Sequence, residues 1–98
     1  MVRAYKELYK QGETGEKDLV IDTSVSMIRL EVTGGGTLTA KGLLDRNSTA
    51  YDLAGIKVSD YTKVTSLTQG MYIFEVSGLY KIRFNLTGEA VVNLKLIV

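Results

Sequence analysis

The chain has 98 residues and a formal net charge of +1, with no Cys and no His. That length supports one domain around one core, and the near-neutral balance argues against a nucleic-acid partner, whose binders carry a strong basic excess. Without thiols or imidazoles there is no disulfide framework, no thiolate metal site, no cysteine nucleophile and no histidine base. No apolar run approaches the ~18 residues of a membrane helix, so no membrane partner is expected. The opening MVRAYKELYKQG lacks the apolar core of a signal peptide.

Composition points to β structure. Val, Ile and Thr supply 26 of the 98 residues, joined by six Tyr and two Phe. Ten Gly and no Pro leave glycine to make the turns.

In chain order, Val2–Lys10 reads either as a strand or as a short helix with Tyr5, Leu8 and Tyr9 on one face. Charged and closed by the turn QGETGE, residues 1–16 are expected to be an N-terminal arm, with Tyr5, Leu8 and Tyr9 as docking candidates. The sandwich domain is expected over 17–98. Strands follow at Lys17–Ile21, at Met27–Thr33 with Ile28, Leu30 and Val32 inward, and at Thr37–Leu44 with Leu38, Ala40, Gly42 and Leu44 inward. DRNST (45–49) is a turn. Ala50–Val58 is an irregular strand pair broken at Gly55, and Ser59–Gln69 a loop or edge segment. Met71–Val76 points Tyr72, Phe74 and Val76 inward. Leu79–Leu86 does so with Tyr80, Ile82, Phe84 and Leu86, and Ala90–Val98 with Ala90, Val92, Leu94, Leu96 and Val98. About eight short strands at this spacing predict an all-β fold, an antiparallel β-sandwich of jelly-roll or Ig-like topology.

Directly opposed residues of an antiparallel pair share a face. Read as hairpins, Leu86–Ala90 and Val32–Leu38 place outward Leu79 opposite Ile97, Lys81 opposite Lys95, Met27 opposite Leu43 and Arg29 opposite Lys41. Met27, Leu43, Leu79 and Ile97 are thus the self-association candidates. A two-residue turn at Ser77–Gly78 would put Tyr80 on the wrong face, so a longer loop or a crossing to the other sheet is expected there.

Catalytic patterns are nearly absent. Asp45, Asp52, Asp60 and Glu75 lack the organised pairing of a glycosidase site, and three of them sit in turn sequence. Gly34-Gly35-Gly36 is followed by neither a helix nor G-K-[ST], so a hairpin tip fits better than a phosphate loop. No D-x-D-x-D spacing organises calcium ligands, and no metal or other cofactor is expected. Tyr51 and Tyr61 fall in loop-like sequence, where aromatic rings stack on sugars. They define an alternative reading as a carbohydrate-binding module with a glycan partner.

The order IRLEVTGGGTLTAKGLLD, AYDLAGIKVSD, VTSLTQGMYIFEVSGLYKIRFNLTGEAVVNLKL resembles small β-sandwich proteins of tailed phages and prophages, found in tail, baseplate, fibre and head-decoration components. The likeness lies in a strand ending V-T-G, then an L-x-G turn, then G-x-Y-x-F-x-V followed by an I-R-F strand. Tyr51 stands where a Trp is frequent. The resemblance implies a non-enzymatic structural or docking role, as a homo-oligomer or with other virion proteins. It places the protein in the virion, or in the bacterial cytoplasm before assembly.

Overall fold

Strands form where apolar side chains alternate with polar ones, because that period lets one face of a pleated sheet leave water. The computed structural model describes residues 2–98, with side chains from Lys6 onward. Among these are ten strands and no helix: β1 (Val2–Tyr9), β2 (Gly15–Val20), β3 (Met27–Gly34), β4 (Thr37–Leu43), β5 (Tyr51–Asp52), β6 (Gly55–Lys57), β7 (Lys63–Val64), β8 (Gly70–Glu75), β9 (Lys81–Thr87) and β10 (Ala90–Ile97). They build a six-stranded sheet, β1-β10-β3-β8-β6-β7, and a four-stranded sheet, β2-β9-β4-β5.

Every pair is antiparallel, and the pairing is nested: β1 with β10, β2 with β9, β3 with β8 and β4 with β5. The chain is therefore one long antiparallel ribbon rolled into a sandwich, the topology of a jelly roll. The short β6 and β7 widen the first sheet beyond β8.

The inner faces close on Ile28, Leu30, Val32, Leu38, Tyr72, Phe74, Ile82, Phe84, Leu86, Val92 and Leu94, none more than 1% exposed. Phe74 on β8 and Phe84 on β9 meet across the two sheets, with ring centroids 6.3 Å apart and planes at 80°. That edge-to-face geometry is the one favoured by the ring quadrupoles. Ser59–Gln69 is tied in by Leu67, fully buried, which exchanges two 2.8 Å backbone hydrogen bonds with Leu38.

Three sequence expectations need correction. First, the expected arm over 1–16 is, in its described residues 2–16, part of the sandwich: β1 runs along β10 from Val2↔Ile97 to Tyr9↔Val92. The register shifts between Glu7 and Tyr9, and this irregularity lets the consecutive Leu8 and Tyr9 both enter the core, at 2% and 0% exposed. Second, Leu43 rather than Leu44 is covered, at 6% against 69% exposed. Third, the proposed hairpins do not exist. The links β3–β4, β8–β9 and β9–β10 each cross from one sheet to the other. The two inner faces look at the same core, so Leu86 and Ala90, like Val32 and Leu38, both point inward without being partners. Residues of like facing are direct partners only where their strands share a sheet. The crossing allowed for at Ser77–Gly78 is the one the structure has.

Two crossing turns lean on each other, which is why glycine recurs there. Gly34 has φ +120°, and a Cβ on it would lie 2.9 Å from the Glu89 carbonyl oxygen. A Cβ on Gly36 would lie 2.9 Å from the Thr87 carbonyl oxygen and 3.1 Å from the Ala90 Cβ. Gly36→Ala is therefore expected to cost about 1–3 kcal/mol through backbone displacement. Gly35→Ala, with nothing within 4 Å of the added methyl, should change stability by no more than about 0.5 kcal/mol. Urea denaturation checks both, as a shift in midpoint at constant slope.

Candidate interaction surfaces

Leu8 and Tyr9 are structural residues, not docking residues. The Tyr9 hydroxyl donates to the Gly15 carbonyl at 2.6 Å, while the Lys17 ammonium sits 4.9 Å from the Tyr9 ring centroid and donates to the Leu8 carbonyl at 2.8 Å. Lys17 also pairs with Glu13 at 3.0 Å. Glu13 in turn accepts from the Lys10 backbone N–H at 2.7 Å. That N–H, followed by the Lys17 hydrogen bond, holds the Glu13 carboxyl below its ordinary range. The segment between β1 and β2 is thus a clasp that carries the chain from one sheet to the other. The Tyr5 backbone pairs with Lys95, but its side chain lies outside the described residues.

Burial, reinforced by the negative charge of Glu16, pushes the Tyr9 phenol from 10.0 up to about 12. A phenol with a raised pKa in the fold contributes stability that is intact below the unfolded value near 10 and is lost as pH rises through about 12. Ultraviolet titration of the folded protein should contain a step near pH 12 from the Tyr9 phenol, and Tyr9→Phe should remove that step. At neutral pH the same substitution should cost about 1 kcal/mol for the lost hydrogen bond to Gly15.

The four self-association candidates do not form two patches. Met27 and Ile97 are opposed to each other, on β3 and β10, and are half-buried. Leu43 is covered, and Leu79 is half-buried against the core, its methyls 3.2 and 3.5 Å from where a Cβ on Gly42 would sit. Neither expected like-charge pair, Lys81 with Lys95 or Arg29 with Lys41, forms, and two other cationic pairs stand in their place. Lys95 stands opposite Arg29 in the six-stranded sheet, and Arg83 opposite Lys41 in the four-stranded one.

The two cationic pairs are treated differently. On the four-stranded sheet β2 sets Asp18 beside Arg83, at 3.1 Å, and Lys81, at 3.2 Å, with Glu16 3.9 Å from Arg83. The Arg83 hydrogen bond, supported by Lys81, holds the Asp18 carboxyl below its ordinary range. On its far side Lys41 is opposed by Asp52. On the six-stranded sheet no described residue forms an ion pair with Arg29 or Lys95. Around that pair lie a shallow open depression edged by Glu31, Met71 and Asn93, and an Asn93 Oδ1 that is buried without a hydrogen-bond partner. Sequence alternation identifies all of these side chains as outward. It carries no sign of which strands lie side by side.

Tyr51 and Tyr61 are 71% and 78% exposed. Tyr51 lies on β5, at an edge of the four-stranded sheet. Tyr61 sits at φ 62° in the turn joining β6 to β7, a conformation uncommon for an aromatic residue. Its N–H donates to the Lys57 carbonyl at 2.7 Å, and Asp60 Oδ1 accepts from the Thr62 hydroxyl at 2.7 Å and the Thr62 N–H at 3.1 Å. Those two hydrogen bonds, the hydroxyl's first, lower the Asp60 pKa.

Among solved structures, the SPBc2 prophage-derived protein YomS superposes with a TM-score of 0.78 at 17% identity, over 97% of this chain and 92% of YomS. The fold is shared with prophage-encoded proteins. The PBSX exported protein XepA matches with a TM-score of 0.75 at 19% identity, over 98% of this chain. The chain spans about two fifths of the length of XepA, 39%, against nearly all of YomS. No protein-family model matches the chain. No curated protein matches it in sequence.

Proposed function

We propose that the protein is a non-enzymatic structural or assembly component of a phage or prophage particle, working through contacts with copies of itself or with other virion proteins. The observation that carries this reading is the likeness in fold to the SPBc2 prophage-derived YomS over nearly the full length of both chains. The rolled ribbon with its tied crossings is a rigid block, suited to presenting flat sheet faces rather than a cleft. The protein resides in the virion, or in the bacterial cytoplasm before assembly. Gradient-purified particles from the bacterium that carries this gene, analysed by quantitative mass spectrometry, should contain the protein at a fixed copy ratio to the major particle proteins. A protein abundant in the lysate and absent from the particles would overturn the reading.

A second reading is supported by Tyr61, a ring held out on a constrained turn. Under it the domain binds a glycan, with Tyr61 and Tyr51 stacking on sugar rings. A glycan array compares wild type with Tyr61→Ala and Tyr51→Ala. Binding that either substitution abolishes supports this reading, and an array without binding removes it.

A further inference from the structure

The register of β10, β3 and β8 arranges the outer face of the six-stranded sheet in rows. One row reads Lys95, Arg29, Ile73, and the next, two residues along each strand, reads Asn93, Glu31, Met71. Outside them lie Ile97 with Met27 at one end and Val91 with Thr33 at the other. Rows follow each other at roughly 6.6 Å.

We propose that a second copy of this chain packs on this face, about a two-fold axis that runs across the strands between the Arg29 row and the Glu31 row. Such a rotation lays each strand antiparallel over its own copy and exchanges the two rows. Arg29 then meets Glu31 of the second copy, and Glu31 meets Arg29 of the second copy. Ile73 meets Met71, Lys95 meets Asn93, and Ile97 meets Val91. The face is self-complementary as a two-fold contact requires: cation on carboxylate, apolar on apolar, ammonium on amide. Packed sheets cross at roughly 30°, so β3, between β10 and β8, carries the closest contacts.

Three features of the single chain fit this occupant. Arg29 and Lys95 are directly opposed like charges, an unfavourable arrangement, and neither has an ion-pair partner among the described residues. The corresponding cation on the other sheet, Arg83, is held by Asp18 within its own chain. The Asn93 Oδ1 lacks a hydrogen bond, and turning the amide toward Lys95 of the second copy supplies one. Met71 is 42% exposed beside the half-buried Ile73 and Ile56, an apolar strip that the contact covers.

This inference rests on the assembly reading above and names the surface and the first partner. Sedimentation equilibrium on the full chain tests it, with Arg29→Glu, Glu31→Arg, their equimolar mixture and the double variant in one chain. Both side chains are exposed, so circular dichroism should match wild type in each case. Wild type should dimerise, and each single reversal should weaken the dimer by about 100-fold or more, because it places two like-charge pairs in the contact. The mixture should form a one-to-one heterodimer, since one chain then presents only carboxylates at both positions and the other only cations. The double variant should dimerise like wild type. A wild type that remains monomeric at high micromolar concentration overturns the proposal. So does an oligomer indifferent to both reversals, or a mixture that stays monomeric. These outcomes leave the particle measurement untouched, because presence in particles does not depend on which face associates.

Discussion

Deleting residues 1–10 is expected to unfold the domain. The deletion removes the ladder of β1 along β10 and two core side chains, Leu8 and Tyr9. Loss of a buried side chain of this size costs about 2–5 kcal/mol, and two of them together approach the whole stability of a small domain, about 5–15 kcal/mol. The backbone of β10 would also lose its partner on one side, and the Lys17 ammonium would lose both the Leu8 carbonyl and the Tyr9 ring. The measurement is the thermal melt by circular dichroism together with amide dispersion in a nitrogen–proton correlation spectrum. A cooperative melt near that of the full chain would show that β1 contributes pairing without stability, and would restore the arm reading.

Phe84→Ala is expected to cost about 3–5 kcal/mol. Phe84 is fully buried at the centre of β9 and meets Phe74 edge-to-face across the sandwich, so its removal opens a void between the sheets. Neighbouring strands pin the backbone on both sides: Lys17 opposes Phe84 from β2 and Ala40 opposes it from β4. The void therefore closes poorly. Urea denaturation reads the loss as a lower midpoint. Phe84→Leu, which keeps most of the volume, should lose about half as much or less. Equal losses for the two variants would argue against tight packing at this point.

The core was legible in the sequence because period two is a local property. Ile28, Leu30 and Val32, then Ile82, Phe84 and Leu86, then Val92 and Leu94 all lie where alternation puts them. Neighbourhood was not legible. Parity across a hairpin pairs Arg29 with Lys41, whereas the chain crosses between the sheets and Arg29 stands opposite Lys95. Two inner faces and one inner face give the same sequence pattern at a turn, so the alternation of Leu86 and Ala90 cannot distinguish them. The tight contact of Gly36 with Thr87 and Ala90 is the physical trace of the crossing, at the GGG motif that reads in sequence as a hairpin tip.

Local irregularity hid two further features. Leu8 and Tyr9 are consecutive and both buried, an arrangement that the period two of a regular strand does not produce. It needs the shift in register at the end of β1 and a carbonyl, that of Gly15, to accept the phenol proton. Exchange of Leu43 for Leu44 as the covered residue has the same character, since it falls at the last residue of β4, where the strand gives way to the 45–49 turn. The surface was legible residue by residue: Tyr51 and Tyr61 are exposed as expected, and Arg29, Glu31 and Lys95 point outward. The rows they form became visible only once the strand order was known.

The role proposed for this domain is that of a working part of a phage-type particle. Its most direct test is deletion of the gene in the bacterium that carries it, followed by induction and electron microscopy of the purified particles, with purified protein added back. Particles should then be incomplete or reduced in number, restored by wild-type protein and not by a chain lacking residues 1–10. Particles normal in number, composition and infectivity without the protein would contradict it.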